Sequence, residues 1–299
     1  MALRAAFFAS ANSRRGADWF APAVEALKEE GIDIADHRLF ESTSDLAEAV
    51  RATGLPLVIV GGGDGTLSAV VQHFEGTGRV LGVMPFGTGN SFARDLGIPI
   101  DVHEAAKVIA GGRTVQVDIG VANGKRFLNV ATLGVSTLIA RELDSGLKKV
   151  SSTAAYFLAL VRALQKVKLF DAALTIDGEA HKFRSLQIVV GNGRFHAGSL
   201  LVAEDAALTG GRLHIYAVTG TNKRDLLKLA LRARSGKQKE LQEVVTFAAK
   251  TAHLETTPSR SVTLDGEVAT QSPVELSVKP KALKVAVPVD WNSHSDSPA

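Results

Sequence analysis

Apolar positions along the chain follow two rhythms. Up to about residue 120, solid apolar runs of strand length alternate with stretches in which apolar residues recur at helical spacing. Residues 3–9 form the first run, Ala21 to Leu27 carry Ala, Val and Leu at helical spacing, and a second strand follows Gly31 near 32–40. A Ser/Thr/Asp cluster at 42–45 caps the next helix. The pattern continues as strand 55–60, helix 67–75, strand 79–84, helix 89–96 and helix 101–110. Such alternation predicts an α/β domain with a parallel sheet, whose ligands sit at the carboxyl ends of the strands.

Beyond residue 120 the rhythm changes to short alternating segments at 173–176, 186–190, 213–218, 262–264 and 274–278. Two helical patterns, 153–166 and 223–234, interrupt them, so a mainly β second domain with helical insertions is expected. The division is an α/β domain over 1–120 and a β domain over 121–299. Residues 292–299 are polar and expected to fray, and no internal repeat or low-complexity segment is present.

Composition narrows the class. With 299 residues the chain can bury a full core and favours two domains over one. Hydrophobic residues at 45%, charged residues at 22% and a mean hydropathy of +0.12 exclude disorder and membrane embedding. No uncharged apolar run approaches the roughly 20 residues of a membrane span. The apolar run after Arg4 is short and is soon broken by Arg14-Arg15, so it reads as a first strand and not as a secretory leader. Zero cysteines exclude disulfides and thiolate metal sites and fit a reducing compartment. A net charge of +3 and a pI of 9.1 suit phosphates or an anionic membrane surface but are too weak to argue for nucleic acid, which is not expected as a partner. Oligomeric state stays open, a homodimer included.

Two turns carry candidate chemistry. Gly61-Gly62-Gly63-Asp64-Gly65-Thr66 follows the apolar run Leu55 to Val60 and precedes a helical pattern starting at Leu67. Glycine tolerates positive φ and has no Cβ, so backbone N–H groups can approach a phosphate, and a helix N-terminus adds favourable partial charge. Asp64 would repel a phosphate unless a cation or water mediates, which points to a divalent metal riding on a nucleotide. The stretch Pro85 to Pro99 repeats the strand, glycine and helix order, with Thr88, Asn90 and Ser91 suited to capping that helix and to donating to a phosphate or sugar. Two consecutive strand ends of this kind predict a nucleotide cleft.

Gly62-Gly63-Asp64-Gly65-Thr66 matches the nucleotide-binding motif shared by diacylglycerol-type lipid kinases, NAD kinases and, with Ser for Thr, phosphofructokinases. Gly87-Thr88-Gly89-Asn90, followed by Phe92-Ala93-Arg94-Asp95-Leu96-Gly97-Ile98-Pro99, resembles the second signature of the diacylglycerol kinase catalytic family, which includes bacterial lipid kinases and sphingosine kinases. Val117-Asp118-Ile119-Gly120, Phe127-Leu128-Asn129, Gly134-Val135, Gly191-Asn192-Gly193 and Asp265-Gly266-Glu267 fall in that family's order and approximate spacing, so the resemblance spans nearly the whole chain. It implies an NAD kinase/diacylglycerol kinase-like first domain, a β-sandwich lipid-substrate domain, a cleft between them and a last strand near 283–287 returning to the first domain. It further implies an ATP- and Mg²⁺-dependent kinase that phosphorylates a lipid hydroxyl, of diacylglycerol or a sphingoid base, at the inner membrane surface from the cytoplasm.

By this resemblance Asp64 and Asp118 belong to the acidic network that holds Mg²⁺ through water, and Glu267 is the base for the lipid hydroxyl. Gly62, Gly63, Asp64, Gly65, Thr66, Gly87, Thr88, Gly89, Asn90 and Ser91 would bind the nucleotide, with Arg94 facing phosphates. Arg14 and Arg15, after the first strand, stand in a degraded form of the family's opening loop and are candidates for a phosphate contact. Read without the resemblance, Asp118 is an acid at a strand end and Asp265-Gly266-Glu267 a hairpin turn. The chain departs from the family pattern at three points. Ser91 stands where many members have Asp, Leu67-Ser68-Ala69 where bacterial members show Asn-Glu, and Gly210 where relatives carry an Asp that helps bind a structural magnesium, which is therefore not expected here.

An NAD kinase is the enzyme alternative, and a decayed nucleotide-binding regulator, motivated by Ser91 and Gly210, the non-enzyme one. Retention of Asp64, Asp118 and Glu267 together counts against decay. Walker, nucleophile-elbow and zincin motifs are absent. Residues 223–239 carry seven basic side chains around Leu226, Leu227 and Leu229, a pattern open both to an anionic membrane surface and to a helix packed on one face and solvated on the other.

Overall fold

The computed structural model describes residues 4–144, 162–163, 166–193, 195–196, 200–201, 206–219 and 244–292. The basic segment 223–239, most of the helical pattern at 153–166 and residues 293–299 lie outside the described residues. The chain divides into two compact units: Met1–Ile119 with Ala207–Gly210 and Lys279–Ala299, and Gly120–Ala206 with Gly211–Val278.

The first unit contains β1 (Arg4–Ser10), α1 (Gly16–Glu29), β2 (Asp33–Phe40), α2 (Thr43–Ala52), β3 (Leu57–Gly62), α3 (Asp64–Val71), β4 (Val80–Pro85), α4 (Ser91–Asp95), α5 (Val102–Ala110) and most of β5 (Thr114–Ala122). Its strands run parallel in the order β2-β1-β3-β4, and Lys284 and Val285 of the last strand add alongside Val80 and Leu81. Every residue of β3 and all but the first of β1 are buried, because helices cover both faces of the sheet. Helix α1 packs beside α5, and α2 beside α3. The edge strand β2 exposes Asp33, His37 and Arg38, charged or polar groups that discourage pairing with another chain.

Side chains near the termini explain where these helices begin and end. The Ser42 hydroxyl accepts the Asp45 N–H at the start of α2, and the Asp101 carboxylate accepts the N–H groups of His103 and Glu104 at the start of α5. Helix α3 begins at Asp64, three residues before the apolar spacing predicts, because extended Gly63 occupies its cap position at φ −99° and an acid in the first turn suits the helix dipole. It ends at Val71, short of the predicted 75, and the chain turns through Gly76 and Gly78 at φ +72° and +69°. Arg79 then closes the turn. Its guanidinium donates to the carbonyls of Val50 at 2.7 Å and Thr53 at 3.0 Å and to that of His73, and lies 5.3 Å over the Phe74 ring.

The second unit is a β-sandwich. Its elements are β6 (Lys125–Phe127), β7 (Val130–Gly134), α6 (Val135–Asp144), β8 (Phe170–Ile176), β9 (Glu179–Ser185), β10 (Gln187–Gly191), β11 (Phe195–His196), β12 (Leu200–Leu201), β13 (Leu213–Val218), β14 (Val244–Ala249), β15 (Thr251–Thr257), β16 (Ser261–Leu264), β17 (Glu267–Gln271) and the first part of β18 (Val274–Ala286). One sheet has the order β14-β13-β10-β7-β16-β17, and the other contains β18-β15-β8-β9. Period-two alternation sorts the side chains. Leu133, Ile188, Val190 and Ile215 face Phe170, Leu174, Leu254 and Leu276 in the core, whereas Val130, Val189 and Tyr216 face Ile139 of α6 on the other side.

On β15, His253 lies opposite Glu275 of β18, with ring Nδ1 2.6 Å from the Glu275 carboxylate and Nε2 3.1 Å from that of Glu255. Donating its ring N–H groups to the carboxylates of Glu255 and then Glu275 raises the His253 pKa above its ordinary value.

These contacts can be tested through stability. Replacing Arg79 by Ala strands carbonyls at the end of α2 and should cost about 2 kcal/mol, read as a lower urea midpoint. Because the folded pKa of His253 lies above the unfolded one, its contribution is fully present below about pH 6.5 and is lost as pH rises through the folded value. His253→Gln should therefore lower the melting temperature near pH 6 and leave it unchanged near pH 9.

Candidate active site

Strands β3 and β4 are parallel neighbours in register, with Gly61 beside Met84 and Gly62 beside Pro85, so the two glycine turns leave the sheet side by side. The Phe86 N–H donates to the Gly62 carbonyl at 2.9 Å. Beyond that bond the main chains touch. A Cβ on Gly87 would lie 2.5 Å from the Gly63 Cα, and one on Gly63 would lie 3.1 Å from the Gly87 Cα. A Cβ on Gly62 would meet the Thr66 side chain at 2.4 Å. None of Gly61, Gly62, Gly63, Gly65, Gly87 or Gly89 has positive φ, so the conformational reason expected for these glycines does not apply; for Gly63 and Gly87 the reason is spatial, since they let the two loops pass in contact.

Asp64 joins the same two loops. From the first turn of α3 its Oδ2 accepts the Ser91 N–H and its Oδ1 the Phe92 N–H, both at 3.0 Å. Helix α4 is thus capped by a carboxylate from the neighbouring turn. The expected capping by Asn90 is not observed. Asn90 sits at φ +48° with its side chain turned inward, Oδ1 accepting the Gly87 N–H at 2.9 Å and Nδ2 donating to the carbonyls of Gly87 at 3.0 Å and Pro85 at 3.4 Å. That side chain braces its own loop. Thr88 and Arg94 are exposed around it, Gly63, Asp64, Gly65 and Gly89 are half-buried, and Gly62, Thr66, Gly87 and Ser91 are buried.

A third loop reaches this place from β1. The Arg15 N–H donates to the Phe86 carbonyl at 3.2 Å, the Arg15 guanidinium lies 4.5 Å over the Trp19 ring, and Trp19 meets Phe86 edge-on. The sequence singles out Arg14 and Arg15 but not Trp19 and Phe86, whose only signal is an aromatic next to each of these loops.

Asp118 is 1% exposed on β5. Its N–H donates to the Leu208 carbonyl at 2.6 Å, and its Oδ1 accepts the Lys281 N–H at 2.8 Å, Lys281 itself being at φ +54°. Gly210, two residues after Leu208, donates its N–H to the Ala207 carbonyl in an exposed turn.

In the second unit three of the motifs meet. Asp265 and Gly266, at φ +48° and +96°, form the two-residue turn between β16 and β17, and both positive values fit a hairpin turn matched to strand twist. The Asp265 carboxylate accepts the N–H groups of Leu128, Asn129 and Val130 at 2.8, 2.8 and 3.0 Å. Asn192 donates from its side chain to the Leu128 carbonyl and from its backbone to that of Asn129. Glu267 follows as the exposed first residue of β17. The His196 side chain lies outside the described residues.

Among the described residues no three His, Cys, Asp or Glu side chains are grouped so as to hold a metal ion. A carboxylate oxygen offers two acceptor positions, so the amide bonds on Asp64 do not by themselves exhaust it. Separate carboxylates of this kind fit Mg²⁺ carried on nucleotide phosphates and completed by water, and do not fit an all-protein cage.

The loop contact yields a direct test. Gly87→Ala should destabilise the chain by about 1–3 kcal/mol through overpacking against Gly63, and Gly63→Ala by less, since its Cβ would stand farther from the facing backbone. Thermal denaturation of the two variants checks the order.

Two family models match the chain: the diacylglycerol kinase catalytic domain over residues 5–122, and the YegS C-terminal NAD kinase beta sandwich-like domain over residues 129–287. A diacylglycerol kinase of Mycobacterium tuberculosis is 33% identical over 276 residues, covering 89% of this chain and 88% of that protein. A Citrobacter koseri protein named "Probable lipid kinase YegS-like" is 30% identical over 277 residues, covering 90% and 91%. The crystal structure of a diacylglycerol kinase from Bacillus anthracis str. Sterne has the same fold, with a TM-score of 0.76 at 21% identity over 96% of this chain and 97% of that one. With both halves matched by these family models and a relative at this identity aligned over nearly its whole length, the chain belongs to the diacylglycerol kinase catalytic-domain family of lipid kinases.

Proposed function

We propose that the chain is an ATP- and Mg²⁺-dependent lipid kinase that transfers the γ-phosphate to the hydroxyl of diacylglycerol or a sphingoid-base-like lipid, acting as a peripheral enzyme on the cytoplasmic side of the membrane. The observation that carries this reading is the pair of glycine turns at the carboxyl ends of β3 and β4, in main-chain contact and tied together by Asp64. Relatives named diacylglycerol kinase make diacylglycerol the first acceptor to try. Among the described residues no helix is long and apolar enough to cross a bilayer, and the proposed membrane contact is peripheral.

Phosphoryl transfer asks a protein mainly for positioning and charge stabilisation. In this reading the backbone from Gly63 to Thr66 and from Gly87 to Ser91 receives the nucleotide phosphates, and exposed Arg94 adds positive charge beside them. Mg²⁺, when bound on the nucleotide and held through water by Asp64 and Asp118, supplies charge neutralisation. Glu267 takes the proton of the lipid hydroxyl as that oxygen bonds to the γ-phosphorus and the bond to the ADP oxygen breaks. Ser91 in place of the family's Asp leaves the loop tie untouched, because position 91 contributes its main-chain N–H to Asp64.

Transfer of labelled γ-phosphate to a panel of lipids in mixed micelles, with NAD and water as competing acceptors, tests the proposal. Product on one lipid class is expected, with turnover lowered roughly 10²–10⁴-fold in Glu267→Gln and lost in Asp64→Ala. Product on NAD alone, or none on any lipid, would overturn it.

A further inference from the structure

Within the second unit, a pocket of about 120 Å³ opens between the start of α6, the chain before β8 and the start of β16. Its wall includes Thr137, Lys168, Phe170, Ser259, Arg260 and Ser261. That volume is well below the roughly 300–1,000 Å³ of pockets for drug-sized ligands, yet several times the ~30 Å³ of one water molecule. Among the described residues no acidic side chain lines it.

Arg260 is held as a ligand-binding arginine would be. Its backbone is fixed on both sides by Ser272, whose Oγ accepts the Arg260 N–H and whose N–H donates to the Arg260 carbonyl, both at 2.8 Å. Its guanidinium lies 5.1 Å over the Phe170 ring. The Arg260 Nε is buried and has no hydrogen-bond partner. A buried donor left unmade is rare in folded proteins and marks a place where an ion or water is wanted. Arg79 shows the contrast, since its guanidinium spends its donors on carbonyls of its own unit. Two of the hydroxyls nearby are already committed: Ser259 donates to the Ser272 carbonyl at 2.6 Å, and Thr137 to the Thr132 carbonyl at 3.2 Å. The charged donors in the wall are the Arg260 guanidinium and the Lys168 ammonium.

We infer that this pocket binds a single phosphate-class oxyanion, held by Arg260 and Lys168. A guanidinium offers a planar fork that matches two oxygens of such a group, and an ammonium adds a point charge. Two cations facing one small space are neutralised by a phosphate dianion or phosphomonoester, whereas a carboxylate leaves one of them uncompensated. The same chemistry is presented by inorganic phosphate and by a phosphomonoester lipid head group. The site involves neither nucleotide nor the acceptor reaction, so it stands or falls apart from the kinase reading.

The test uses the full chain without nucleotide. Inorganic phosphate is titrated calorimetrically at constant ionic strength into wild type, Arg260→Gln and Lys168→Gln, with acetate as the carboxylate control. In parallel, co-sedimentation is measured with phosphatidylcholine vesicles with and without phosphatidic acid. Binding of phosphate that weakens at least tenfold in both variants supports a site for the free anion. Variant-sensitive binding confined to the phosphatidic acid vesicles supports the same site filled by a lipid head group. Acetate binding as tightly as phosphate, or wild type and variants indistinguishable in both arms, would overturn the inference. Lys168 is exposed, so Lys168→Gln keeps the test decisive if Arg260→Gln fails to fold.

Discussion

The first unit depends on a contact with no side chain in it, the passage of Gly63 against Gly87. Two adjacent parallel strands end about one strand spacing apart, and turns with ordinary side chains would have to splay. Glycine at both positions lets the loops converge with no side chain between them. The second turn then leads into α4, whose first amides, like those of any helix, have no partner within it. Asp64 accepts two of them. Space, helix capping and loop register are therefore one arrangement, and a change at any of its members is felt by the others.

The same device recurs elsewhere in the chain. Asp118 accepts the Lys281 N–H from a strand 163 residues away, and Asp265 gathers three consecutive amides of the Leu128 to Val130 segment. A carboxylate accepting main-chain amides makes charge-assisted bonds that fix a loop without a helix or ladder to hold it. Asp64, Asp118 and Asp265 thus tie backbone together. Glu267 differs: it stands exposed at the head of β17, while its neighbour Asp265 sets the turn that presents it. A residue assigned to take a proton has to be reachable by a substrate, and a residue that tethers a loop does not.

Legibility in the sequence follows the same division. The strands and helices of the first unit stand out because each strand is buried on both faces and reads as a solid apolar run, as in Leu57 to Val60. The second unit is harder. Strand β9 runs Glu-Ala-His-Lys-Phe-Arg-Ser with one face open to water, and of the inward-facing His181, Phe183 and Ser185 only Phe183 is apolar, so its period-two signal is faint. Helix α6 has no start signal of its own, because Gly134, at φ +104°, ends β7 and leads into the helix with no intervening loop. At the site, the glycine turns and their acids are visible as motifs. Their physical roles are not, because the partners of Asp64, Asp118 and Asp265 are backbone amides of remote segments, and an amide leaves no residue-type signal in a sequence.

That last point bears on how the departures from the family pattern are to be weighed. A motif comparison scores side chains, so Ser91 in place of Asp counts as a lost acid. The structure shows that position 91 also serves through its main chain, a function that nearly any residue supplies, and Ser91 is buried where a carboxylate would have to be desolvated or paired. Asp64 already brings one carboxylate to this spot. A second one beside it would be repelled unless a cation stood between them, so the presence or absence of an acid at 91 tunes how much positive charge the turn calls for and leaves the geometry of the turn intact.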